Sequence, residues 1–487
     1  MVLMHVPIGL YNLPVPLAGI VAAAVVVVAA SFALIYVAPP KIAGDDEAGG
    51  GALPRWLPWL ATAAAAAFYL YVVAIAILGR QGLAALNGAS LAFWVFTIPL
   101  LPLAHCLMGG IYQAANPFAA AARLLSGGRR VVNADAVLRR LGYWPAVIML
   151  FLLVMGESVS EVVQNPAVLG YAAILYGVVQ VCLGILLGDE WYHGGDVFQA
   201  LTSLASTVAP IAVRRDADGG VRLHRGFNPA RFLPPGGGRQ ALITLWLAGV
   251  LADGVRATPI WTRLVVPHTQ TFFESLGRVG GVDLGDATEI TLEIVLTWIA
   301  FGLFFWLFVV VASVLSAWRA PEPGQDPFDR ERLTRLATIV SPSLIPIAVA
   351  YLLAHNLTQL LVIGPLIVTA RDAEAGQLGL LVQQQIHHLN PSWVWWVQVT
   401  AIVLGHVVAV VMAHARLAHG LESSPALAAK SARKPAPHAT RAPEVRHGMG
   451  GEARAAVLLA DLGWLSAMLI YTATSLWILA MPITASR

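Results

Sequence analysis

Apolar runs of about 20 residues recur along this chain, separated by shorter polar stretches. A helix rises about 1.5 Å per residue, so about 20 residues cross the ~30 Å hydrocarbon layer of a bilayer. Ten runs reach that length, at approximately 17–39, 56–79, 90–113, 143–163, 167–188, 240–258, 290–318, 344–369, 393–417 and 455–482. They predict an all-α, polytopic transmembrane helix bundle of about ten spans. Residues 1–422 would hold nine spans, and 455–487 would add a C-terminal one. Between them, 423–454 is rich in Ala, Pro, Lys and Arg without apolar periodicity, which predicts a disordered basic linker. Two further apolar segments do not fit as spans. Residues 196–213 predict an interfacial or re-entrant helix, and 264–276 predict a surface helix.

Charge orients this pattern. Basic residues cluster in the loops after spans three (Arg123, Arg129, Arg130, Arg139, Arg140), five (Arg214 to Arg239), seven (Arg319 to Arg335) and nine (Lys430 to Arg454). The alternate loops hold few. With ten spans all four basic loops share one side, and both termini lie on the other. The positive-inside rule makes the basic side cytoplasmic, so both termini are expected outside. Trp56, Trp59, Trp94, Tyr143, Trp144, Trp393, Trp395 and Trp396 sit at span ends, as an aromatic belt would.

Composition agrees: 58% of the 487 residues are hydrophobic and 12% charged, against about 25% charged in soluble chains. The net charge of +3 points to no nucleic-acid partner; the lipid bilayer is the expected one, with room for other membrane subunits. Cys106 and Cys182 are too few for a disulfide framework. No Walker loop, nucleophile elbow or zincin motif occurs, and no internal repeat stands out.

The candidate chemistry lies in polar residues at membrane depth, which are costly there and mark function by default. His355 and His406 fall near the middles of spans eight and nine, which a short connection makes neighbours. A common depth would let them meet near the midplane. Glu157 and Glu161 are four residues apart on one helix face, and Asp253 lies one turn before Arg256, within reach of an intrahelical ion pair. Three roles are open to the histidines: ligating a divalent transition metal, holding haem b, or carrying protons. Plain helix-to-helix packing competes with all three. His387-His388 diverge by about 100° on a helix, a poor chelate. Asp189, Glu190, His193 and Asp196 read as a solvated helix end. Pro99, Pro102, Pro342 and Pro346 interrupt spans that carry histidines, and such breaks free backbone carbonyls.

Short motifs spread over residues 5–417 resemble a bacterial, mostly actinobacterial, membrane family labelled fenitrothion hydrolase-like. They are His5 with Leu13-Pro14-Val15-Pro16, Asn116-Pro117-Phe118, Gly195-Asp196-Val197-Phe198 with Ala209-Pro210, Asp253-Gly254 with Ala257-Thr258-Pro259, and Gly405-His406 with Ala413-His414. The family's His-Gly reads His5-Val6 here, and the linker and tenth span look like additions. The resemblance implies a multi-pass protein of the bacterial inner membrane and phosphotriester hydrolysis. Metal-activated water would be the most economical chemistry, with His355 and His406 as ligands and Asp253 or Glu157 as ligand or base. A cation- or proton-coupled transporter and a haem-bearing or assembly subunit of a membrane complex are the alternatives.

Overall fold

The structure, a computed structural model, describes residues 16–37, 51–82, 84–158, 165–215, 220–226, 236–256, 258–280, 285–319, 326, 328–369, 377–422 and 451–480. His5, Leu13 to Val15 and residues 423–450 of the expected linker lie outside these. The protein is an all-α polytopic membrane protein. Among the described residues seven helices are long and apolar enough to cross a membrane, or nine if each of two bent pairs counts as one span.

The N-terminal part comprises α1 (Leu17–Val37), α2 (Trp56–Leu78), α3 (Gly88–Leu107) and two short helices, α4 (Ile111–Ala115) and α5 (Pro117–Ser126). Next come α6 (Asp135–Leu141) and α7 (Trp144–Ser158), the first bent pair, at 50°. Then follow α8 (Pro166–Leu187), α9 (Trp191–Gly195) and α10 (Val197–Ala205). The second bent pair, at 80°, joins α11 (Arg239–Arg256) to the π-turn Trp261–Val265 that leads into α12 (Val266–Gly280). The remainder is α13 (Gly285–Arg319), α14 (Arg330–Val340), α15 (Ile345–Val362), α16 (Leu378–His388), α17 (Pro391–Glu422) and α18 (Gly451–Leu479).

The shaft of the bundle is α14–α15, joined through a 3-10 turn at Ser341–Leu344. Its sequence is apolar on every face from Leu344 to Ala350, and every residue from Ser341 to Leu352 is buried. It packs against α17, α11 and α3. By contrast, α2 buries little beyond Val72 and Ala76, and sends Phe68, Leu70 and Leu78 outward as a lipid-facing helix does. Gly170, Gly177 and Gly184 recur every seven residues on one face of α8. A Cβ at Gly177 would collide with the Tyr69 hydroxyl, and one at Gly184 with that of Tyr192, so this face lets its neighbours approach at backbone distance.

Three features differ from the sequence reading. The segment 196–213, expected as one interfacial or re-entrant helix, is not helical throughout. It is helical only to Val208, and Gln199 to Thr207 are all buried between α3, α7 and α15. Ala209-Pro210 ends it, and the chain turns into a strand. A small sheet forms there, with β1 (Met108–Gly109) parallel to β2 (Ile211–Arg215) and β2 antiparallel to β3 (Val221–Arg225). Second, α18 is no appendage. It packs on α17, α1 and α13 and buries Trp464, Met468, Tyr471 and Leu476. Its first turn is made by Gly451 to Arg454, which the sequence reading gave to the linker. Third, Trp94, Tyr143 and Trp395 are buried, so they pack helices. Trp56, Trp59, Trp144, Trp393 and Trp396 are exposed, as a belt requires. Residues 264–276 are helical, within Trp261–Gly280.

Candidate functional site

Two polar regions lie inside the bundle. The first sits at the end that carries the basic loops. There Asp196 caps α10, fully buried, and its carboxylate accepts from the backbone N–H groups of Phe198 (2.9 Å) and Gln199 (3.1 Å). It also accepts from Tyr176 Oη (2.7 Å), Tyr112 Oη (3.2 Å) and Asn116 Nδ2 (2.8 Å). Burial pushes this carboxyl above the usual carboxylate range, while the hydrogen bonds pull it down. Asn116 caps α5 in the same way, accepting from Phe118 N (3.0 Å) and Ala119 N (3.2 Å). Its amide also donates to Gln199 Oε1 (2.9 Å). Aromatic rings pack edge-on around this region: Tyr69 on Phe118, Phe118 on Tyr176, and Tyr176 on Phe198.

Asp196 therefore does not belong to the solvated helix end read from the sequence. Asp189, Glu190 and His193 do, with side chains 60%, 66% and 51% exposed. The pairing of Asn116 with Asp196 also shows a local repeat that the sequence reading missed. Tyr112, Asn116 and Phe118 stand at the same spacing as Tyr192, Asp196 and Phe198, 80 residues on. In each set the tyrosine lies within a five-residue helix and the Asx residue caps the next helix. The signal was a Tyr-x-x-x-Asx-x-Phe pattern occurring twice.

His105 belongs with this region. Its Nδ1 lies 2.7 Å from the Leu101 carbonyl, which only accepts, so Nδ1 carries the proton. Its Nε2 then accepts from Tyr112 N at 2.9 Å. Both nitrogens are used, and the ring joins α3 to α4. The breaks at Pro99 and Pro102 are absorbed beside it by a π-turn, Leu91–Thr97, in which Thr97 Oγ1 donates to the Ala92 carbonyl at 2.8 Å.

The second region runs along the contact of α15, α17, α18 and α11, away from the basic end. His406 is fully buried, with Nδ1 2.8 Å from the Ile402 carbonyl. By the same reasoning Nδ1 is protonated and Nε2 holds a bare lone pair, and Nε2 has no hydrogen-bond partner among the described residues. The Tyr471 ring lies 6.2 Å from the imidazole, centre to centre. One turn further along α18, Tyr351 Oη donates to the Ser475 carbonyl at 3.3 Å. The Tyr471 and Ser475 hydroxyls, both buried, also have no partner among the described residues. Next comes half-buried His355: a methyl group at residue 254 would sit 4.0 Å from its Nδ1 and 3.8 Å from the Tyr351 ring. Asp253-Gly254 thus presents its glycine to His355.

The register of α15 on α17 fixes the levels of the two histidines. Gln398 Nε2 donates to the Ala354 carbonyl at 2.8 Å, and Gly405 faces Ala350 and the Pro346 carbonyl. His406 therefore stands opposite the residues around Ile347, and His355 opposite Gln398. Eight to nine residues separate those levels, or roughly 13 Å along the bundle. The common depth expected from sequence is not what the packing gives. That offset weighs against one metal ion or haem iron bridging the two rings. The side chains of Glu157 and Asp253, the expected carboxylate partners, lie outside the described ones, as does Glu161. Arg256 approaches Glu293 at 3.8 Å, and Trp261 Nε1 donates to the same carboxylate at 2.9 Å. Among the described residues no three His, Cys, Asp or Glu side chains gather as a metal site would need. His387 and His388 are exposed, with rings 6.3 Å apart and 61° between their planes. Asn356 bonds its own helix, at the Leu352 carbonyl (2.9 Å).

No protein-family model matches the chain, and no match was found among curated proteins or among solved structures.

Proposed function

We propose that this is a ten-span protein of the bacterial cell membrane, with both termini outside, that works through the polar ladder His406–Tyr471–Ser475/Tyr351–His355. The basic end is cytoplasmic in this reading, by the positive-inside rule. The ladder then climbs from near the midplane through the outer half of the bilayer. His406 at its foot is the acceptor, for a molecule that reaches it from the lipid phase. The observation that carries the reading is the lone pair on His406 Nε2, which has no partner among the described residues. A buried acceptor left unpaired costs about 1–3 kcal/mol, and more in a medium without water, so a donor has something to gain there.

The test is mass spectrometry of organic extracts, together with metal and pigment analysis, on detergent-purified wild type and His406→Leu. One lipid-soluble species should accompany the wild type at near one per chain and be depleted in the variant. Equal retention by both proteins removes His406 from the reading. A transition metal at one per chain, lost in both His355→Ala and His406→Ala, would replace it with the metal-dependent hydrolase that the family resemblance implies. Reporter tags at the two ends test the topology: either terminus found in the cytoplasm contradicts it.

A further inference from the structure

Beside the ladder, α11, α13 and α18 leave a cleft of about 650 Å³ between them. That is ample for a small lipid-soluble molecule. Its walls are almost entirely apolar, with Phe301, Phe304, Phe308 and Trp477 prominent, and no residue lining it is charged. Phe304 and Trp477 are well exposed on the bundle surface, so the cleft opens sideways towards lipid. Five hydroxyl side chains line it. Three are spent on their own helices: Thr258 donates to Val255 (2.7 Å), Ser466 to Leu462 (2.9 Å) and Thr474 to Ile470 (2.9 Å). The other two, Tyr471 and Ser475, are the buried hydroxyls without a partner among the described residues. They are one turn apart on α18, on the face that meets His406 and Tyr351.

From this geometry we infer the class of ligand, resting on the reading of the ladder above: a neutral lipid whose head is a hydroxyl group. An uncharged wall offers nothing to a phosphate or ammonium headgroup and would strip its water without compensation. A hydroxyl is both donor and acceptor, as the two open side chains are. Lodged between Tyr471 Oη and Ser475 Oγ, it satisfies both, while its apolar body fills the cleft. An alkyl chain alone fills the same space and satisfies neither.

The experiment uses the full chain in detergent and two probes, 11-bromoundecan-1-ol and its methyl ether. Bromine quenches tryptophan, and subtracting the signal of Trp477→Phe isolates the residue in the cleft wall. The alcohol should bind wild type about tenfold more tightly than the ether, the effect of one to two buried hydrogen bonds. In Tyr471→Phe/Ser475→Ala the two probes should bind within about twofold of each other. Equal affinities in wild type, where folding is not in question, overturn the inference and leave a groove filled by any acyl chain. So does a preference that survives the double variant. A preference retained in His406→Leu but lost in the double variant upholds the cleft as the alcohol site while removing His406 from the proposed function, so the two readings fail separately.

Discussion

The Asp196 region and the His406 region use the same side-chain types to opposite ends. Each buries a histidine whose Nδ1 bonds the carbonyl four residues earlier in its helix. Each places tyrosine hydroxyls nearby. At the basic end the set around Asp196 closes, though Gln113 Oε1 beside it has no partner among the described residues: His105 Nε2 receives Tyr112 N, Asn116 uses both its donors and its acceptor oxygen, and Asp196 accepts five hydrogen bonds. In the other region His406 Nε2, Tyr471 Oη and Ser475 Oγ have no partner among the described residues. A closed buried network fixes a unique arrangement of helices, and an open one keeps capacity for something else. The contrast separates architecture from function more sharply than residue type does, because a buried histidine alone fits either.

The largest effect should come from Asp196→Asn. The new amide would turn donors towards Asn116 Nδ2 and Tyr112 Oη, which already donate. Loss of about 3 kcal/mol is expected, read as a lowered thermal unfolding midpoint in detergent. The swap Asn116→Asp/Asp196→Asn restores one donor facing one acceptor across the two caps. It should recover about half of the loss, measured as a double-mutant cycle. Additive losses would mean that the caps hold their helices independently and that the hub is not a unit.

His105→Leu comes next. It keeps the ring's bulk approximately but leaves the buried Tyr112 N–H without its acceptor. A loss of about 2 kcal/mol is expected in the same assay. A loss near zero would say that the turn between α3 and α4 finds another acceptor, and the closed region would be less closed than it looks.

How far could this contrast be read from the chain? The all-α, multi-pass character could, because length and hydropathy are properties of each segment alone; of the ten runs expected, the described residues give seven helices long and apolar enough to span, or nine with the bent pairs. The charge alternation that orients them is equally local. Which polar residues meet was harder to see. Asp196 sits seven residues beyond Asp189 in a stretch rich in charge, and only the fold of α9 onto α8 takes it from water. The doubled Tyr-x-x-x-Asx-x-Phe pattern was there to be found, but a spacing of 80 residues with two conserved types hides among chance matches. His406 was legible as a candidate, while Tyr471 and Ser475 were not. They lie on a helix that the preceding basic linker sets apart from the other spans in sequence, and only packing brings that helix inside. The depth of His355 relative to His406 was misjudged for a related reason. The level of a residue in a span depends on how far each helix slides along its neighbour, and the close approach at Gly405 sets that slide.

The smallest stability effect is expected at His406→Leu, and it is the most telling. Leucine removes an imidazole whose Nε2 has no partner among the described residues and whose Nδ1 shares a carbonyl inside its own helix. The loss of that one bond, about 1 kcal/mol, is offset by removing an unpaired buried polar atom and adding apolar surface of similar bulk. The thermal midpoint should therefore move by less than about 1 kcal/mol equivalent, in either direction, while the species that accompanies wild-type protein is lost. Stability and occupancy would then part company: His105→Leu costs stability, and His406→Leu costs occupancy. A loss of about 2 kcal/mol at both histidines would erase the distinction between the regions, because His406 would then be holding helices together through a contact with the same weight as the one at His105.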